Sequence, residues 1–322
     1  MPSKTVKFVL GTHMVGDSTR DPTASFDDAN DVQALLDAFH ERGYDQIDSA
    51  RDYSPQAQGT SEKRLGQSGA ASKFVIHTKI HSGHPGDHEA EKVALSIQES
   101  LAALQTSSVE TMYLHVPDRQ TLFEDTARAM NEAFIQGKFK KFGLSNYTAA
   151  EVEQFIAICE EKGYVKPSIY QGHYNPVVRG GEQELFPLLR KHNMAFWAYS
   201  PAAGGFFSGK IDTSQRWNSE TFMGNVYGNL YSDPSVRAEI ATVQEAAAKQ
   251  GITGHAAAIR WTAFHSKLDG DFDDAVVFGV SKLEQLHKTL DALEAGKLPP
   301  EVADSISAIY AKFEGKEPAY HL

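Results

Sequence analysis

Cysteine is almost missing from this chain. Cys159 is the one cysteine in 322 residues, so no intrachain disulfide can form, as in proteins of reducing compartments. Long apolar runs are missing as well. No stretch approaches the roughly 20 apolar residues that a membrane helix needs. The opening MPSKTVKFVL lacks the apolar core of a secretory leader. A cytoplasmic chain with no membrane partner is therefore expected. Basic charge is scarce too: 31 Lys and Arg against 42 Asp and Glu leave a formal net charge of −11. Nucleic-acid binders are usually basic, so no nucleic-acid partner is expected. An acidic protein can still hold an anion in a local positive pocket. No low-complexity linker interrupts the sequence, and a single domain over 1–322 is the expectation.

What is present is alternation. Short β-rich runs lie at 44–48, 74–79, 109–114, 139–144, 168–171, 194–199 and 275–278. The N-terminal VKFVLG adds another strand or a lid hairpin. These runs are mostly apolar, as strands buried on both faces are. Amphipathic helical patterns fall between them, among them 29–42, 89–104, 124–136, 148–161 and 235–249. Thr148 with Glu151 forms a capping-box signature. Strand–helix alternation predicts parallel strands with crossovers, and about eight repeats favour a closed (β/α)₈ TIM barrel over an open sheet. Extra helices are expected near 253–266 and after Pro299–Pro300, and a long Gly-, Asn- and aromatic-rich loop over 200–234.

On such a barrel, catalytic groups sit where strands end. Strand 44–48 ends in Asp48, with Tyr53 five residues on; strand 74–79 ends in Lys79; strand 109–114 runs into His115. Asp48 and Lys79 at the ends of apolar strands are costly unless they pair, and neighbouring strands let them. A phenol ionises near about pH 10, and a nearby ammonium lowers that value. Tyr53 is thus the candidate proton donor to a carbonyl oxygen, with Lys79 expected to depress its pKa, Asp48 to hold Lys79, and His115 to orient the oxygen.

These residues lie in the runs IDSARDY (47–53), HTKI (77–80) and YLHVPD (113–118). With GLSNY (143–147), YQGHYNP (170–176), AYSPAAGGFFSGK (198–210) and VVFGVSKLEQL (276–286), the chain resembles the aldo-keto reductases from about residue 5 to 295. Within them it is closest to the aflatoxin-aldehyde-reductase-like branch. The resemblance implies a barrel, NADPH, no metal, and the tetrad Asp48, Tyr53, Lys79 and His115. It implies that Ser145, Asn146 and Gln171 bind the nicotinamide carboxamide, a task suited to amides that offer donors and acceptors. Tyr199 would stack on the nicotinamide, beside Ser200. Gly204 and Gly205 would line the pyrophosphate.

Gly279, Ser281, Lys282 and Gln285 lie where the last strand meets its helix. Ser281 with Glu284 predicts a capping box, and Lys282 and Lys288 offer charge for the adenosine phosphate. The chain departs from its relatives at Thr289, where they usually carry an adenine-contacting Asn, and at Gln285, where many members outside this branch carry Arg. The stretch NVYGNLYSD (225–233) lacks the Arg that branch members reducing acid-aldehydes use, although Arg216 is near. Phe206, Phe207, Trp217, Phe222, Tyr227 and Tyr231 instead suggest a bulky or aromatic, uncharged carbonyl substrate, with core packing as the alternative.

His77 should share the inward face of Lys79 as a packed core histidine. His81, His84 and His88 lie in a Gly/Pro loop with no carboxylate cluster to complete a metal site. The leading function is carbonyl reduction by a monomer or homodimer. The alternative is an NADP(H)-sensing regulatory protein on the same barrel with little turnover.

Overall fold

The computed structural model describes residues 4–209, 217–231 and 233–322, so Arg216 lies outside the described residues. Eight parallel strands close into a barrel in sequence order. They are β1 (Lys7–Gly11), β2 (Gln46–Asp48), β3 (Val75–Lys79), β4 (Val109–Leu114), β5 (Phe139–Ser145), β6 (Pro167–His173), β7 (Ala195–Tyr199) and β8 (Ala275–Phe278). The N-terminal run forms β1 and no lid. It pairs with both β2 and β8 and so completes the ring.

The helices are α1 (Ala29–Glu41), α2 (Thr60–Gln67), α3 (Ala90–Ala103), α4 (Phe123–Ile135), α5 (Ala149–Lys162) and α6 (Gly181–Lys191). After β7 come α7 (Phe222–Leu230), α8 (Pro234–Lys249) and α9 (Gly254–Phe264), and α10 (Leu283–Glu294) and α11 (Pro300–Ile309) follow β8. Side-chain caps start several of them. Asp28 accepts from two backbone N–H groups of α1, and Thr148 and Glu151 make the expected reciprocal box on α5. Near α10 the expectation fails. The helix begins one residue later, at Leu283, with Lys282 as its N-cap and no side-chain cap bond. The Ser281 N–H and hydroxyl both donate to Gln285 Oε1, at 2.9 and 3.0 Å, which turns the hydroxyl away from the helix end.

Alternation along the strands sorts the side chains into two cores. Val9, Tyr113, Ile169, Ala195, Trp197, Ala275 and Val277 fill the barrel, whereas a larger apolar layer joins strands to helices. In β3, Thr78 points outward and donates to Glu62 of α2 at 2.6 Å, while His77 and Lys79 point inward. His77 sits in the lower layer between Thr111 Oγ1 (2.9 Å) and Gln46 Oε1 (3.0 Å), the packed core histidine expected. Lys79 lies one layer up, at the mouth.

Burial disfavours imidazolium, so His173 and His88 are each pushed down to about 4. Unfolded, each titrates near about 6.5. Between those values the unfolded chain holds more protons, so stability falls as pH falls through this window. Each histidine contributes up to about 3 kcal/mol, taking about 1.4 kcal/mol per pKa unit. Thermal melts should therefore shift several degrees lower from pH 7 to pH 5. A midpoint constant over that range would refute this account of the two histidines.

Candidate active site

The site grows from the ends of β2, β3, β4 and β6. Lys79 and Asp48 are fully buried. The Lys79 ammonium donates to Asp48 Oδ1 (2.8 Å) and Oδ2 (2.7 Å), to the Ser49 carbonyl (2.8 Å) and to Tyr53 Oη (2.9 Å). The Tyr53 hydroxyl donates to Asp48 Oδ2 at 2.8 Å, and Gln171 Nε2 donates to Asp48 Oδ1 at 2.8 Å. Asp48 thus accepts from three residues, which offsets the cost of burying its charge. The His115 ring meets the Tyr53 ring edge-on, with centroids 5.9 Å apart.

One expectation is reversed. Burial, followed by the negative Asp48, pushes the Tyr53 phenol well above its ordinary value. Burial also lowers the Lys79 ammonium, with Asp48 acting against that. The reason is burial first, which disfavours a phenolate, and then the bond from the phenol's own proton to the Asp48 carboxylate. At neutral pH the phenol is a loaded proton donor.

Above this floor opens a cavity of about 1020 Å³. Tyr53 and His115 line it, and Ser145, Asn146, Gln171, Tyr199, Ser200, Gly204, Gly205 and Gly279 line it as well. Ser281, Lys282 and Gln285 are not among the lining residues. Asn146 is held on all sides: its amide donates to the His115 carbonyl (2.9 Å) and to Ser145 Oγ (3.1 Å), and its oxygen accepts from the Tyr199 hydroxyl (2.9 Å). Asn146, Ser200 and Ala203 adopt left-handed φ of 66°, 51° and 52°, which is costly for residues that carry a side chain. Gly204 (φ +64°) lies so close to Tyr227 that an added Cβ would come within 2.6 Å of its ring. Gly205 (φ +92°) has open space there.

Some functional neighbours escaped sequence reading. Asp52 lies in the IDSARDY run yet carries no motif role of its own. It accepts from His81 Nδ1 and faces His115 Nδ1 at 3.3 Å, and these bonds hold its carboxyl below the ordinary value against the effect of burial. His173 extends β6 beyond the expected strand. It stacks on Tyr199 with centroids 5.2 Å apart and planes 6° apart. His255 lines the cavity too, beside the Thr289 already singled out in the sequence.

The aromatic loop divides between the two expectations, cavity lining and core packing. Phe206 stacks on Trp217 at 5.0 Å, Trp217 meets Tyr227 at 5.6 Å, and Tyr231 donates or accepts at His173 Nε2 over 2.8 Å. Phe206, Phe207 and Tyr231 are buried, and of the loop's described rings only Tyr227 lines the cavity. Core packing accounts for Phe206, Phe207 and Tyr231, Trp217 stacks on Phe206, and the Phe222 side chain lies outside the described residues. The loop also folds Asp87 onto His81 and His84, with their ligand atoms within 4.8 Å of one another.

Residues 7–311 match the model of the aldo/keto reductase family. An aldo-keto reductase of Pseudocercospora fijiensis is 36% identical over 86% of this chain and 96% of its own. Human aldo-keto reductase family 7 member A3 is 35% identical over 93% and 92% of the two chains. Human aflatoxin B1 aldehyde reductase member 2 is 35% identical over 95% and 87%. No helix among the described residues is long and apolar enough to cross a membrane. With its closed barrel and polar tetrad at the mouth, the chain belongs to the aldo/keto reductase family and is an oxidoreductase that works with a nicotinamide cofactor.

Proposed function

We propose that the protein reduces aldehydes or ketones to alcohols with NADPH, with Tyr53 as general acid assisted by Lys79, Asp48 and His115. One observation carries this reading. The Tyr53 hydroxyl faces a large cavity while bonded to a buried ammonium and a buried carboxylate, at 2.9 and 2.8 Å. That geometry suits a proton given to an oxygen that gains charge. His115 and Tyr53 together would hold the carbonyl oxygen. Lys79 would stabilise the phenolate left behind, and Asp48 would keep Lys79 in place.

The residues present fit a dinucleotide. When bound, the nicotinamide supplies the hydride. Ser145, Asn146 and Gln171 offer the carboxamide its partners. Tyr199, backed on one face by His173, leaves the other for a flat ring. Gly204 and Gly205 allow close backbone approach. The N-terminal end of α10, with Lys282 as its N-cap, offers backbone N–H groups and a positive charge that suit a phosphate. Lys288 already pairs with Glu284 at 2.5 Å, so Lys282 is the stronger candidate. No step in this scheme calls for a metal ion.

A charge-assisted phosphate contact is worth about 1.5–3 kcal/mol. NADPH should therefore bind roughly 10- to 150-fold more tightly than NADH, and Lys282→Ala should shrink that gap. Fluorescence titration of both cofactors checks this, and equal dissociation constants would end the claim.

For the substrate we infer an uncharged carbonyl compound. Among the described residues lining the cavity, the one arginine is Arg119. It is committed to Glu151 (2.6 Å) and to the Leu322 carbonyl (2.9 Å), so its fork is occupied. The volume admits a bulky or aromatic group. Succinic semialdehyde should give a kcat/KM at least roughly tenfold below that of a nitrobenzaldehyde, the cost of one missing charged contact. A better rate with the acid would overturn the assignment. An NADPH-oxidation screen over neutral and acidic aldehydes tests both the activity and this preference.

A further inference from the structure

We propose that His81, His84 and Asp87 form a divalent-cation site at the mouth of the cavity, selective for zinc-like ions, whose occupation slows the enzyme through Asp52 and His115. The three ligand atoms come from one short loop and already converge. His81 Nε2 lies 3.7 Å from Asp87 Oδ2, and His84 Nδ1 lies 3.5 Å from the same oxygen. Bonds of about 2.0–2.1 Å to a tetrahedral zinc place neighbouring donors roughly 3.4 Å apart, so little movement is needed. Two imidazoles and one carboxylate suit zinc and leave a fourth position open, whereas magnesium and calcium prefer all-oxygen sets.

The surroundings hold the ligands ready. A carboxylate only accepts, so Asp52 fixes the proton on His81 Nδ1 and leaves the Nε2 lone pair outward. This is the carboxylate–histidine arrangement that orients metal-binding imidazoles. The loop backbone is pinned from several sides. The Ser82 N–H donates to Asp52 Oδ2 at 3.0 Å, the His84 N–H to Asp87 Oδ2 at 2.7 Å, and the Gly86 N–H to Asp118 Oδ2 at 3.0 Å. Asp87 is largely enclosed whereas His84 is 75% exposed, which gives an ion a way in.

The site is wired to the tetrad. Asp52 bonds His81 with Oδ1 and faces His115 Nδ1 with Oδ2 at 3.3 Å. A cation on His81 Nε2 makes Nδ1–H a stronger donor. That draws Asp52 charge toward His81 and loosens its hold on His115. The effect on turnover rests on the reductase reading; cation binding does not.

The test uses the full chain, cleared of metal by a chelator and titrated calorimetrically with zinc chloride alone, with magnesium chloride as the control. Wild type should bind one equivalent of zinc at this site and not magnesium. Asp87→Asn, which keeps an acceptor for the His84 N–H, and His84→Ala should each weaken zinc binding at least roughly tenfold. Zinc should lower the wild-type kcat/KM for an aldehyde at concentrations that leave Asp87→Asn unaffected. Three results would overturn the proposal: no zinc binding by wild type, equal affinity in the variants, or a filled site with unchanged turnover. Should the protein reduce no carbonyl compound at all, the calorimetry still decides the site while the reductase reading fails.

Discussion

Tyr53→Phe should cut kcat by roughly 10²-fold or more while leaving the NADPH dissociation constant nearly unchanged, the usual worth of a general acid. The substitution removes one oxygen and keeps the ring, so the edge-on packing against His115 persists. It frees Asp48 from the bond at 2.8 Å, but Lys79 and Gln171 still satisfy that carboxylate. Folding should therefore be preserved and the loss should lie in the chemical step. Steady-state kinetics beside a fluorescence titration separate the two. Unchanged turnover in this variant would remove Tyr53 from its role.

Lys79→Met should damage both stability and activity. Among the described residues its ammonium is the one cation bonded to Asp48, and both side chains are buried. Without it Asp48 keeps two hydrogen bonds and loses its counter-charge. Breaking one side of a buried pair costs about 3–5 kcal/mol. Turnover should fall by a factor comparable to that of Tyr53→Phe, because the phenolate loses its neighbouring charge. Asp48→Asn in the same background should cost less than it does alone, since the stranded carboxylate is then neutral. A double-mutant cycle of denaturation midpoints and rates measures this. Strict additivity would mean that the two side chains do not act as a unit.

Much of the fold was legible because strand and helix patterns alternate with clear periods, and a parallel barrel leaves few other topologies. The strand ends were legible for a further reason. Asp48 and Lys79 are charged residues closing apolar runs, and such residues must find each other. Tyr53 was harder: it sits on a loop, and residue pattern alone does not aim it. What the chain did not disclose are contacts between distant loops. Asp52 meets His81 and His115 only once three strand ends converge. Asp87 joins His81 and His84 only after the loop has folded. Local rules also misled. Ser281 fits the cap pattern, but the Gln285 side chain reaches its hydroxyl first. The sign of the Tyr53 shift depended on how deeply the phenol is buried and on its bond to Asp48, both matters of the folded geometry. For the aromatics of 206–231, composition carries no information on which ring faces the cavity.

The central claim is hydride reduction of a carbonyl group at the cavity above Tyr53. Incubation with NADPH deuterated at C4 and an uncharged aromatic aldehyde, followed by mass analysis of the product, tests it most directly. The account predicts an alcohol carrying one deuterium on its carbinol carbon, formed in step with cofactor oxidation and strongly reduced in Tyr53→Phe. Tight cofactor binding with no labelled alcohol would contradict it and would leave a nucleotide-sensing barrel in its place.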